Sequence, residues 1–246
     1  MKIRVLSLIV MFFFGKLLIG QSAKVYIVKA DVLNVRSGPG SQYEKLFSLV
    51  EGQDVELINN ENPSWWLIKS QNSLGYVSSK YLIEDPFSTW EKKYYPSGSA
   101  PECENIIPKY DPSMKNYLNI NVGSNTDVVL KLMKKSLMGE DYCIRIAYVR
   151  SNESYKMENI PEGLYYVKIA YGSDYRQKIE DGQCKVRFVR NANYEKGKEE
   201  LSFYKIPVTG GYDIPSFQLD LDIIIIEGRR FNEFTSDTIS EEEFNK

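Results

Sequence analysis

Three cysteines and a few carboxylate pairs are the side chains of this chain best placed to do chemistry, and neither set has the partner that catalysis usually needs. The 246 residues contain no histidine. Imidazole is the usual base for a Ser or Cys nucleophile and the commonest zinc ligand. Its absence removes the ordinary nucleophile–base arrangement. Asp220 and Asp222 stand two residues apart on one predicted strand face, where two carboxylates could hold a cation or act as an acid/base pair. Glu158 and Glu162 are a second pair. Alternating acids on an exposed edge strand also account for the first pattern and are the preferred reading. No Gly-rich phosphate loop and no Cys-x-x-Cys pair occurs. The expectation is therefore no catalytic residue, no metal site and no cofactor. A carboxylate-based hydrolase is the minor alternative.

A second group of side chains suits recognition. Tyr43, Trp65, Trp66, Tyr76 and Tyr81 fall within one stretch of chain, close to Asn34, Arg36 and Ser37. Adjacent Trp65 and Trp66 point to opposite faces of a regular strand, so one is expected in a core and the other beside a groove. Aromatic faces next to amides and a guanidinium suit a glycan or a peptide. Asn34 and Arg36 have a competing role, which is to brace the turn after Val35.

These residues sit on recognisable local structure. Leu33-Asn34-Val35-Arg36 alternates as a strand and ends at Ser37-Gly38-Pro39-Gly40, where Pro39 and Gly40 suit a type II turn with positive φ at Gly40. Gly52 marks a turn before Val55-Glu56-Leu57-Ile58. Trp65-Trp66-Leu67-Ile68-Lys69 follows, and then Gly75-Tyr76-Val77 with Tyr81-Leu82. This order of motifs, over residues 24–84, resembles the bacterial SH3 domain, a small β-barrel. The resemblance implies a cell-wall ligand. Such domains often accompany Cys-His cell-wall peptidases, an enzyme that a chain without histidine cannot encode in its usual form.

Lys2 and Arg4 precede an apolar run from Val5 to Gly15, and Gln21-Ser22-Ala23 follows Leu17-Leu18-Ile19-Gly20. This reads as an export signal over 1–20, too short to span a bilayer comfortably. Its removal takes away three bases and no acid, lowering the net charge from −2 to −5. Nucleic acid is excluded as a partner, because it needs concentrated positive charge. No stable membrane span remains. Exported chains keep disulfides, and an odd cysteine count allows at most one internal bridge. Cys143 and Cys184 lie in predicted strands of one domain and are the expected pair. Cys103 is the expected free thiol.

Residues 85–114 hold five prolines and read as a linker, with Trp90, Tyr94 and Tyr95 packing on a neighbouring domain. Residues 115–230 show short predicted strands, the mark of an antiparallel β-sandwich. Within them, Tyr155 to Ile169 runs through Asn159-Ile160-Pro161-Glu162-Gly163 and resembles a hairpin of transthyretin-like and carboxypeptidase-regulatory-like sandwiches. Residues 231–246 form an acidic tail, expected to be solvated. The whole reads as an all-β, exported, non-enzymatic binding protein of the periplasm or cell surface. Its expected partner is cell-wall glycan or peptide, or an envelope protein. A structural protein docking into a larger envelope complex is the alternative.

Overall fold

The computed structural model describes residues 24–221, 224–226, 229–231 and 234–246. The expected export signal and the side chain of Asp222 lie outside the described residues. The chain divides into two units, one ending at Ser88 and one starting at Thr89.

The first unit is an SH3-like barrel. Its strands are β1 (Val25–Val28), β2 (Val32–Arg36), β3 (Lys45–Val50), β4 (Asp54–Asn59), β5 (Trp65–Ser70), β6 (Ser73–Ser78) and β7 (Leu82–Glu84), ordered β3-β2-β6-β5-β4-β1-β7. Alternation decides which side chains turn inward. Leu33 and Val35 of β2, Val55 of β4, Ile68 of β5 and Val77 of β6 are buried together. Gly75 is required by close approach, because a Cβ there would overlap Val35 Cγ1. The turn after β2 is not the expected type II, since Gly40 lacks a positive φ. Instead Gly40 N–H donates to the Gly38 carbonyl at 2.9 Å and Tyr43 N–H to the Gly40 carbonyl at 3.3 Å.

The second unit is a sandwich. It begins with β8 (Glu91–Lys92), β9 (Tyr117–Val122), β10 (Asp127–Lys134), β11 (Tyr142–Val149) and β12 (Ser154–Glu158). A long hairpin follows, β13 (Leu164–Glu180) and β14 (Gln183–Gly197). Asp181 and Gly182, both at positive φ, form its two-residue turn. Then come β15 (Leu201–Ser202), β16 (Ile206–Val208), β17 (Gly211–Asp213), β18 (Phe217–Leu221), β19 (Ile224–Ile226), β20 (Arg229–Phe231), β21 (Ser236–Thr238) and a short helix, α1 (Glu241–Asn245). The larger sheet runs β11-β10-β13-β14-β21, and the smaller runs β12-β9-β18. Leu118 and Ile120 of β9, Met157 of β12 and Leu219 of β18 meet Leu130, Leu132, Val167 and Ile169 between them. Among the described residues, one pair departs from the antiparallel expectation: β18 runs parallel to β9.

The other face of the larger sheet is also covered, so β13 reads as a nearly continuous buried run. Its cover comes from two segments that the sequence presents as peripheral. Most of the Pro-rich stretch belongs to this unit. β8 pairs with β13, Gly98 N–H donates to the Tyr148 carbonyl, and Tyr95 and Ile106 pack on Tyr148, Tyr175 and Phe188. The acidic tail is not simply solvated. β21 pairs with β14, and Phe244 of α1 is buried on the same face. Two lysines lie beneath this cover. Lys131 pairs with Glu104 at 3.1 Å with both side chains largely buried, and Lys168 Nζ donates to the Glu243 carbonyl. The Ile160-Pro161-Glu162-Gly163 link is not a hairpin. β12 pairs with β9 and β13 with β10, so the link carries the chain from one sheet to the other.

Candidate functional site

β5 and β6 set the site in the first unit. Leu67 stands opposite Tyr76, and Trp65 opposite Ser78. With a two-residue period, Trp65, Leu67 and Tyr76 share one face and Trp66 and Ile68 the other. Trp66 packs against the barrel core, its ring edge-on to Tyr26 with centroids 5.0 Å apart. Trp65, Leu67 and Tyr76 instead line an open groove of about 530 Å³. Its remaining lining is Pro39 after β2, Asn59 at the end of β4, and Glu61, Asn62 and Pro63 between β4 and β5.

That connection is held by its own side chains. Asn59 Oδ1 accepts from Glu61 N–H at 2.8 Å, and Asn62 Oδ1 accepts from Ser64 N–H at 3.0 Å and Trp65 N–H at 3.1 Å. These are turns built by short amides bonding the following backbone. Ser79 Oγ adds a bond to the Pro63 carbonyl at 2.7 Å. The oxygens of Asn59 and Asn62 are thus used internally. Among the described residues, Asn59 Nδ2, Asn62 Nδ2, Trp65 Nε1, the Tyr76 hydroxyl and the Glu61 carboxylate have no side-chain partner. The groove therefore offers two aromatic rings, several donors and one carboxylate, a set that binds by stacking and orients by hydrogen bonds.

Of the eight residues expected to bind, the structure brings Trp65 and Tyr76 together in this groove. Trp66 is on the core side. Arg36 stands opposite Tyr76 across β2 and β6, but its Nη1 donates to the Tyr43 carbonyl at 2.8 Å. Tyr43 lays its ring over Gly38, where a Cβ would overlap it. Arg36 and Tyr43 thus close the turn after β2. Asn34 Oδ1 accepts from Ser48 Oγ at 3.1 Å, and Ser37 N–H donates to the Glu44 carbonyl at 2.9 Å. Tyr81 is at the surface, with Lys80 Nζ 4.6 Å from its ring centre. None of these five lines the groove. The residues that sequence reasoning missed are Pro39, Asn59, Glu61, Asn62, Pro63 and Leu67. The signal was Asn59-Asn60-Glu61-Asn62-Pro63 directly before the Trp pair.

The candidate acids of the second unit are committed elsewhere. Asp220 Oδ1 accepts from Asn121 Nδ2 at 2.6 Å and from Gln218, and these bonds hold its carboxyl below the ordinary value. Glu158 pairs with Lys156 at 3.2 Å, while Glu162 accepts from Lys205 N–H at 3.0 Å. No group of three or more Cys, Asp or Glu among the described residues could hold a metal. The expected bridge is corrected: Cys184 pairs with Cys103, their Cα atoms 5.3 Å apart, and Cys143 is the free thiol. Burial pushes the Cys143 thiol up to about 11.

The strand order and the Trp-led groove define the first unit as SH3-like, and residues 31–83 match the family model of the bacterial SH3 domain. Over 102 residues the chain is 35% identical to the cell wall-binding protein YwsB of Bacillus subtilis (strain 168), a match covering 40% of this chain and 57% of that relative. No solved structure gives a significant match.

Proposed function

We propose that this is an exported, non-enzymatic protein of the cell envelope whose SH3-like unit binds the cell wall through the Trp65–Tyr76 groove. The observation that carries this reading is the groove itself: two rings on the β5–β6 pair, with unpaired donors on them and on Asn59 and Asn62 beside them. The bacterial SH3 match over residues 31–83 and the cell wall-binding relative support peptidoglycan as the ligand. The acidic charge speaks against nucleic acid. Purified sacculi test the proposal. The full chain should co-sediment with them, and Trp65→Ala should abolish most of that binding while the protein remains folded.

A docking role for the second unit is favoured by one feature. Ile206 and Val208, alternate residues on one face of β16 in the β16–β17 hairpin, are each at least half exposed. Co-purification of an envelope protein that is lost when both are replaced by Ser would support it.

A further inference from the structure

We infer that the groove selects a short peptide bearing a free primary ammonium, with Glu61 as the counterion and the Trp65 and Tyr76 rings as its apolar walls. This rests on the cell-wall reading above and narrows it. Among the described residues, Glu61 is the only charged side chain that lines the groove, and it has no ion-pair partner. Its backbone N–H is tied to Asn59 Oδ1, so the carboxylate is carried on a fixed turn. Trp65 and Tyr76 are diagonal neighbours across β5 and β6, a spacing at which large side chains can reach one ligand group. An ammonium is drawn to the faces of Trp and Tyr, and a carboxylate adds a charge-assisted hydrogen bond. An anionic ligand would meet Glu61 as a like charge. A neutral sugar can donate hydroxyls to the carboxylate but leaves its charge uncompensated.

The Nδ2 groups of Asn59 and Asn62 add donors for peptide carbonyls near the amine. A wall peptide has two sources of such an amine: the side chain of a diamino acid, and the N-terminus of a bridging peptide. Cross-linking turns either into an amide and removes its charge. The groove would then distinguish open from cross-linked peptide.

The test uses the full chain and two peptide pairs, measured by calorimetry. One pair is acetyl-Ala-Lys amide with and without an Nε-acetyl group; the other is triglycine amide with and without an N-terminal acetyl group. At least one free amine should bind about fivefold or more tighter than its acetylated form, and added salt should narrow the gap. Which pair responds identifies the source of the amine. Glu61→Gln should remove the difference between the free and acetylated forms. Equal binding of free and acetylated peptides, or no binding of any of them, overturns the inference. Sacculi assayed in parallel separate the two levels. Sacculus binding without amine discrimination leaves the cell-wall reading standing, and loss of both removes both.

Discussion

Trp65 and Trp66 are neighbours in the chain and face opposite environments: Trp65 lines the open groove, and Trp66 lies edge-on to Tyr26 against the barrel core. Replacing each should therefore have a different consequence. Trp66→Ala leaves a cavity beside Tyr26 and should cost about 3 kcal/mol or more in a denaturant titration. Trp65→Ala should cost about 1 kcal/mol or less and lower ligand binding. Equal destabilisation by the two variants would contradict the split.

Arg36 is the case where a polar side chain near the groove serves the fold. Its bond to the Tyr43 carbonyl fixes the turn that carries Pro39. Arg36→Ala should lower the melting temperature, at a cost of about 1–2 kcal/mol, and reduce sacculus binding less than Trp65→Ala does. Strong loss of binding at unchanged stability would make Arg36 a ligand contact.

The Cys103–Cys184 bridge ties the cover of the larger sheet to the tip of the long hairpin. Reduction, or Cys103→Ser, should destabilise the second unit by about 2–4 kcal/mol. Cys143 should stay unmodified by a maleimide at neutral pH in the native protein, because burial keeps its thiol protonated. Unfolding without reductant should expose one thiol and unfolding with reductant three, as the chain has three cysteines. Rapid native labelling, or three thiols before reduction, would contradict the pairing.

Asp174 gives the second unit an acid-sensitive point. Its buried side chain pairs with Arg176 at 2.6 Å, Lys92 at 3.4 Å and Arg190 at 3.5 Å. Burial alone would raise this carboxyl, but the Arg176 hydrogen bond and charge, then Lys92 and Arg190, outweigh it and hold it below the ordinary 3.8. A folded value below the unfolded one means the stabilisation is complete above pH 3.8 and is lost as pH falls through the lower folded value. Asp174→Asn should cost about 3 kcal/mol at neutral pH, since it leaves Arg176 buried beside a neutral group. It should also flatten the stability curve below pH 3.8. An unchanged acid limb would show that other groups govern it.

Local pattern carried much of the fold. β9, Tyr117–Val122, alternates in burial along its length, the pattern that marks a strand in sequence, whereas β11, Tyr142–Val149, is buried at nearly every residue. β13 is hard to read past Tyr171, where Gly172-Ser173-Asp174 are residue types that suit a turn. Those residues are a bulge instead: the register with β14 shifts between Tyr171 and Ser173, and Asp174 takes a positive φ beside its arginine partners. Only tertiary packing distinguishes the two. The disulfide failed to be legible for the same reason, since it joins Cys103 of an irregular segment to the tip of a hairpin. In the site, Trp65 and Tyr76 are legible as aromatics on paired strands. The Asn59–Pro63 wall is not, because Asn and Pro there also serve an ordinary turn. Phe244 was the available sign that the acidic tail packs.

The central claim, that the groove on β5 and β6 is the wall-binding site, is tested most directly by NMR. The full chain, labelled with nitrogen-15, is titrated with soluble peptidoglycan fragments while the backbone amides are followed. Shifts should concentrate at Asn59 to Trp65, Leu67 and Tyr76, and on the Trp65 indole N–H, with the Trp66 indole little changed. Binding with shifts confined to the second unit or to the β3 side of the barrel would contradict it.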